Sequence, residues 1–149
     1  MTKPKLYKKT SYIYIVLFLF CMQLGFAQSV VGKWKTIDDE TGEAKSIVEI
    51  YEQNGKIYGK VVDIIDASKR NGLCEKCKDY RKNKPVLGMQ IIDGLTKDDD
   101  EYSDGKILDP EKGKLYKCKI WLDSDNKNKL YVRGYVAFFY RTQNWYRVN

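Results

Sequence analysis

From Val30 to Val148 the chain alternates. In "KLYKCKIWL" (Lys114–Leu122), Tyr116, Cys118, Ile120 and Leu122 fall on one side, and Lys117 and Lys119 on the other. A period of two belongs to extended chain, so this is a half-buried strand whose core face is named by its residues. "VVGKWKTI" (Val30–Ile37) sets lysines between larger groups in the same way. "KSIVEIYE" (Lys45–Glu52) and "KIYGKVVDII" (Lys56–Ile65) flank Asn54-Gly55, and two β-rich runs around Asn-Gly predict a tight hairpin. "DSDNKNK" (Asp123–Lys129) is a turn cluster, and "LYVRGYVAFFYRTQNWYRV" (Leu130–Val148) supplies two more strands, breaking near Gly134 to Ala137. Helical periodicity is scarce. Short strands with regular turn signals predict an all-β fold, a single antiparallel barrel of about eight to ten strands or a sandwich. Closure removes the sheet edges that invite aggregation.

The first 27 residues read as an address. Lys3, Lys5, Lys8 and Lys9 form a basic start, and "YIYIVLFLFCMQLGFA" (Tyr12–Ala27) carries no charge. It ends in Gly25-Phe26-Ala27, with small residues where a signal peptidase reads, which predicts a cut after Ala27. The run falls short of the ~20 residues that span a bilayer as a helix, so the processed chain is expected not to be transmembrane; an uncleaved anchor is the alternative. Phe20 before Cys21 argues against a lipoprotein site. The expected product is one domain, residues 28–149, exported to the periplasm or secreted. Four of the 27 Lys and Arg and none of the 20 Asp and Glu precede the cut, leaving 23 against 20, a net +3. That mixed balance does not describe a nucleic-acid binder.

Gly32-Lys33-Trp34 at the first strand resembles the opening of lipocalins and the wider calycins. More of the chain, in order "GKWKTIDDETGEAKSIVEIY", "KIYGKVVDI", "CEKC", "PVLGMQIIDGL", "DGKILDPEKGKLYKCKIWL", "LYVRGY" and "RTQNWYRV", resembles the uncharacterised bacterial domain-of-unknown-function family 2147. The D-P-x-x-G-K-x-Y block (Asp109–Tyr116) and the R-T-Q-x-W block (Arg141–Trp145) are the most specific parts. The resemblance implies a small exported lipocalin-like barrel and no established substrate. It implies that Trp34 plugs one end and that a basic residue of the last strand, Arg141 or Arg147, packs on it. A guanidinium over an indole contributes roughly 0.5–2 kcal/mol. Where that family approaches its final R-T-Q through glycines, this chain has Phe138-Phe139-Tyr140, which predicts a crowded opening beside Arg141.

Cys74 and Cys77 stand in a basic stretch, Ala67–Pro85. With no histidine in the chain, zinc would need Cys74, Cys77, Cys118 and a carboxylate from Glu75 or Asp79. Redox catalysis would want a βαβ setting, although Lys76 and Lys78 favour a thiolate. An exported protein keeps disulfides, so a Cys74–Cys77 staple is the preferred reading, with a bridge from Cys118 to either as its variant. Cys118 faces the core as a small hydrophobe. No metal or cofactor is expected.

Without histidine no Ser-His-Asp or Cys-His arrangement exists, so an enzyme is not the expected reading. "KDDDEYSDG" (Lys97–Gly105) reads as a solvated acidic loop; its spacing fails the EF-hand pattern. It is also a possible internal partner for the basic loop. Alternation places Arg133 with Tyr131 and Tyr135, either as an anion clamp in a barrel mouth or as an outward arginine stacked on tyrosine. The candidate ligand-binding residues are Trp34, Arg133, Tyr135, Arg141 and Trp145. The first functional reading is a barrel holding one small apolar or amphipathic ligand in a cavity lined by residues such as Trp34, Val48, Ile50 and Tyr116. The second is an envelope interaction protein with a filled barrel, touching lipid or protein through the basic loop 69–84, where Lys76, Lys78 and Arg81 would carry the contact.

Overall fold

The computed structural model describes residues 29–148. The expected signal, its cut and Cys21 lie outside the described residues. Eight strands follow one another: β1 (Gly32–Ile37), β2 (Ala44–Gln53), β3 (Lys56–Ile64), β4 (Gln90–Asp98), β5 (Glu101–Asp109), β6 (Lys114–Leu122), β7 (Lys129–Val136) and β8 (Phe139–Val148). Each pairs antiparallel with the next, and β8 closes on β1. A short 3₁₀ turn, Ala67–Lys69, lies in the long β3–β4 loop. The fold is an all-β closed barrel at the lower edge of the expected strand count. None of the described residues forms a helix long and apolar enough to cross a membrane.

Local chemistry accounts for much of this. The β2–β3 hairpin turns on Asn54 and Gly55, both at positive φ (52° and 73°), as a two-residue loop matched to strand twist requires. In β6 the named face points inward: Cys118 and Ile120 are buried, and Tyr116 and Leu122 half-buried. The break falls at the end of the expected Gly134–Ala137 span, with β7 running through Val136 and the turn at Ala137-Phe138.

The acidic stretch 97–105 is not a loop. It forms the end of β4, a tight turn at Asp99-Asp100 and the start of β5. Asp99 and Asp104 adopt left-handed φ (50° and 61°), and the register shifts between Tyr102 and Gly105. That irregularity resets the period of two, so no alternation shows in the residues.

Up-and-down topology sorts the connections. The loops β1–β2, β3–β4, β5–β6 and β7–β8 meet at one end; β2–β3, β4–β5, β6–β7 and both strand termini meet at the other. The acidic turn and the basic loop are therefore at opposite ends and are not internal partners.

The second end is closed. Trp34 is fully buried, and its indole N–H donates to the Val30 carbonyl (2.7 Å). The Arg147 guanidinium lies over that indole, 4.2 Å from the ring centre, and donates to the carbonyls of Val31 (3.1 Å) and Ser29 (2.8 Å). Gly32 makes this possible: its φ is +138°, and a Cβ there would lie 2.7 Å from the guanidinium nitrogen. Of the two arginines weighed as the partner of Trp34, Arg147 fills the role because register sets it directly opposite. Above this stopper Val48, Ile50, Ile57, Leu95, Ile120 and Leu130 pack the lower barrel.

Candidate functional site

The upper barrel holds a cavity of about 820 Å³ that opens between the four loops. Its wall is Val61, Ile64, Ile91, Ile107, Val132 and Trp145, with Tyr116 packed beside Gly134 on the adjacent strand. The volume arises because inward positions at this level are small or polar: Thr36, Ser46, Gly134 and Gln143. The Thr36 and Ser46 hydroxyls share a hydrogen bond (2.9 Å), and the Trp145 indole donates to the Gln143 side-chain oxygen (3.1 Å). These groups make one polar strip on an otherwise apolar wall.

The rim is charged but internally paired. Asp38 accepts from the backbone of Glu40 and Thr41 (2.9 Å each) and from Lys45 (2.6 Å). The Lys45 ammonium, ahead of those amides, holds the Asp38 carboxyl well below the usual carboxylate range. Lys45 also reaches Glu111 (3.1 Å), tying the β1–β2 loop to the β5–β6 turn across the mouth. Arg141 grips Asp39 with two donors and Glu40 at 3.1 Å. That pairing lowers the Asp39 carboxyl and raises the Arg141 guanidinium further.

The β3–β4 loop, residues 65–89, forms one side of the mouth through Ser68, Lys69, Gly72, Leu73 and Val86. It is stitched by Leu73–Pro85 pairing and by Val86 N–H donating to Gly72 (2.9 Å). Cys74 and Cys77 form a disulfide, and both are buried. The small ring docks on the β5–β6 turn. The fit depends on Gly113, at φ +63°, whose missing Cβ would overlap the Lys76 carbonyl and lie 2.7 Å from the Cys77 nitrogen. The D-P-x-x-G-K block is thus a seat for the cysteine loop. Cys118 is a free buried thiol, and desolvation pushes its pKa up to about 12. Among the described residues no group of three or more His, Cys, Asp or Glu is placed to hold a metal ion.

Arg81 is the residue that the basic composition of the loop conceals. It is buried and donates to Asp79 (2.5 Å), Asp93 (3.0 Å) and the Gln90 carbonyl (3.1 Å), so it anchors the loop to β4 rather than facing a partner. Side-chain bonding to Asp79 raises its guanidinium further. An Asp-x-Arg spacing is the only trace of this in the sequence.

The five candidate ligand-binding residues separate. Arg141 and Trp145 line the cavity. Trp34, with Val48 and Ile50, is packed beneath it without lining it, because these large side chains fill the lower barrel. Arg133 and Tyr135 stand on the outer wall. Arg133 lies between Trp121 (4.9 Å) and Tyr140 (4.3 Å) and donates to the Thr142 hydroxyl (2.8 Å). Val132 and Gly134 take the inward positions of β7. Of the residues expected to crowd the opening beside Arg141, Phe139 and Tyr140 border the cavity mouth with it, while Phe138 is almost fully exposed.

The family described as an uncharacterized protein conserved in bacteria (DUF2147) matches residues 32–147. Among solved structures, the chain is similar to protein HP1028 from the human pathogen Helicobacter pylori, described as belonging to the lipocalin family. The TM-score is 0.70 at 22% identity, over 81% of this chain and 84% of that one. This likeness establishes a lipocalin-like barrel. No curated protein matches the chain.

Proposed function

The chain belongs to the DUF2147 family, and from its half-filled barrel we propose that it binds one small apolar or amphipathic molecule. The observation that carries this is the cavity of about 820 Å³, lined largely by apolar side chains beside one polar strip, open between the loops and floored by the packed lower barrel above Trp34. It falls within the ~300–1,000 Å³ of small-molecule sites. Arg141 and Trp145 are the sequence candidates that serve this reading, with Trp34 as the stopper below. The apolar part of the ligand lies against Ile107, Val132 and Trp145. A polar head sits near Gln143, Lys45 and Arg141. Because the rim charges are already paired, the head gains orientation more than net attraction. Export by the N-terminal segment accords with a buried disulfide.

A dansyl-labelled fatty acid tests the reading. Its emission should rise on binding and be excited through Trp145, and Val132→Trp should abolish the signal by filling the cavity. Absence of binding by fatty acid, lysolipid and apolar dye alike would remove the proposal. The envelope-interaction reading rests on exposed Lys76, Lys78, Lys82 and Lys84. It expects a filled barrel, and the cavity weighs against it. A charge-swap test of it must spare Arg81, whose loss would unfasten the loop.

A further inference from the structure

Most of the exposed apolar side chains gather at the open end. Val136, Phe138, Phe139 and Tyr140 form the β7–β8 tip, with Phe138 96% and Phe139 78% exposed. Leu115, at the start of β6, is exposed on the adjoining wall and shares an outer groove with Tyr135, Val136 and Ala137. Lys106 and Lys117 line the same groove. They are direct cross-strand partners in the β5–β6 register. Like charges directly opposite destabilise a sheet. On its other side Lys106 is opposite Asp93, whose carboxylate Arg81 already holds, and among the described residues neither lysine forms an ion pair within 4.0 Å. Two exposed phenylalanines and a like-charged lysine pair stand together; Phe139 borders the cavity mouth, but neither ring is buried in the core. The opposite end is polar, with Asn54-Gly55, Asp98–Asp100 and the turn 123–128.

We propose that the β7–β8 tip and the β5–β6 wall beneath it dock on an anionic lipid bilayer. Phe138 and Phe139 enter the boundary between headgroups and acyl chains, where aromatic rings are favoured. Lys106 and Lys117 lie on lipid phosphates, which relieves their mutual repulsion. A protein partner accounts for the tip less well. Stable protein interfaces bury about 800 Å² on each side, and a convex hairpin tip presents less than that. A lipid surface needs no complementary hollow and matches a wedge with basic flanks. The docking brings the cavity mouth to the bilayer, yet it stands independently of what the cavity holds.

The test is flotation of the purified protein with vesicles of phosphatidylcholine alone or with about one-third phosphatidylglycerol. The protein should float with the anionic vesicles and release as salt screens the lysines. Phe138→Ser with Phe139→Ser should lower partitioning about tenfold or more, with an unchanged melting temperature because both rings are exposed. Lys106→Gln with Lys117→Gln should weaken binding and flatten its salt dependence. Phe138→Trp should shift its emission to the blue on anionic vesicles. Failure of the protein to float with either vesicle overturns the proposal. So does equal flotation of the serine double variant. A tip that ignores vesicles but drives self-association in sedimentation is a protein contact, and the lipid proposal falls.

Discussion

Replacing Gly113 by alanine tests whether the cysteine loop is seated on the β5–β6 turn. Two penalties apply. The residue holds φ +63°, where an L side chain costs about 1–2 kcal/mol. Its new Cβ would also overlap the Lys76 carbonyl, and forcing the loop aside costs about 1–3 kcal/mol. The total is about 2–5 kcal/mol, and for a domain of this size the melting temperature falls by about 8–20 °C. Gly42 supplies the control: its φ is +75°, but nothing lies within 4 Å of the added Cβ. Gly42→Ala should therefore show the backbone penalty alone. Thermal and urea denaturation followed by circular dichroism measure both variants. In a Cys74→Ser, Cys77→Ser background the loop yields more easily, so the excess penalty of Gly113→Ala should shrink. Equal losses for Gly113→Ala and Gly42→Ala, within about 0.5 kcal/mol, would refute the seat.

At the closed end, Arg147→Met should cost about 2–4 kcal/mol in urea denaturation, since it removes the indole contact and two carbonyl bonds. Arg147→Lys should recover only part of this, because an ammonium cannot stack and bridge two carbonyls as the planar fork does. Asp123 accepts from the Tyr131 hydroxyl (2.7 Å), which leads in lowering its carboxyl to about 2. The unfolded value is about 3.9, so its contribution is complete above about pH 4 and is lost as pH falls through the folded value. Asp123→Asn should flatten the acid limb of a melting-temperature profile between about pH 4 and pH 2. Cys118 should resist iodoacetamide in the folded protein and react in denaturant without reductant, while Cys74 and Cys77 should react only after reduction. Modification of the folded protein at Cys118 would contradict its burial.

The sequence was most legible where chemistry is local. Asn54-Gly55 dictates its hairpin, and the β6 alternation names Cys118 and Ile120 as core because lysines cannot take those positions. It was least legible where register decides. Arg141 and Arg147 share one face of β8, and only the pairing of Trp34 with Arg147 separates stopper from rim. Alternation correctly groups Arg133 with Tyr131 and Tyr135, but both faces of β7 carry apolar groups, so it does not say which is inside. The irregularity before Gly105 hides β5 behind a run of carboxylates. Arg81 looks like its lysine neighbours until Asp93, from the next strand, is beside it.

Strand number and stagger fix a barrel's width, so an eight-stranded barrel is about as wide at the mouth as at the stopper. What differs between its ends is the size of the inward residues. Below, Trp34, Ile50, Ile57, Ile120 and Leu130 fill the width and leave no room. Above, Thr36, Ser46, Gly134 and Gln143 do not. A core of this size gains stability from every added methylene that fits, so small inward residues in the upper half forgo stabilisation that larger ones would supply. The lower half meets that need alone, with the Trp34–Arg147 stopper fixing one end. The upper half is instead held from outside, by the Asp38–Lys45–Glu111 and Asp39–Arg141 pairs and by the cysteine loop on Gly113. Rim bracing of this kind keeps a hollow barrel closed without occupying its interior, which is the condition that a binding cavity requires.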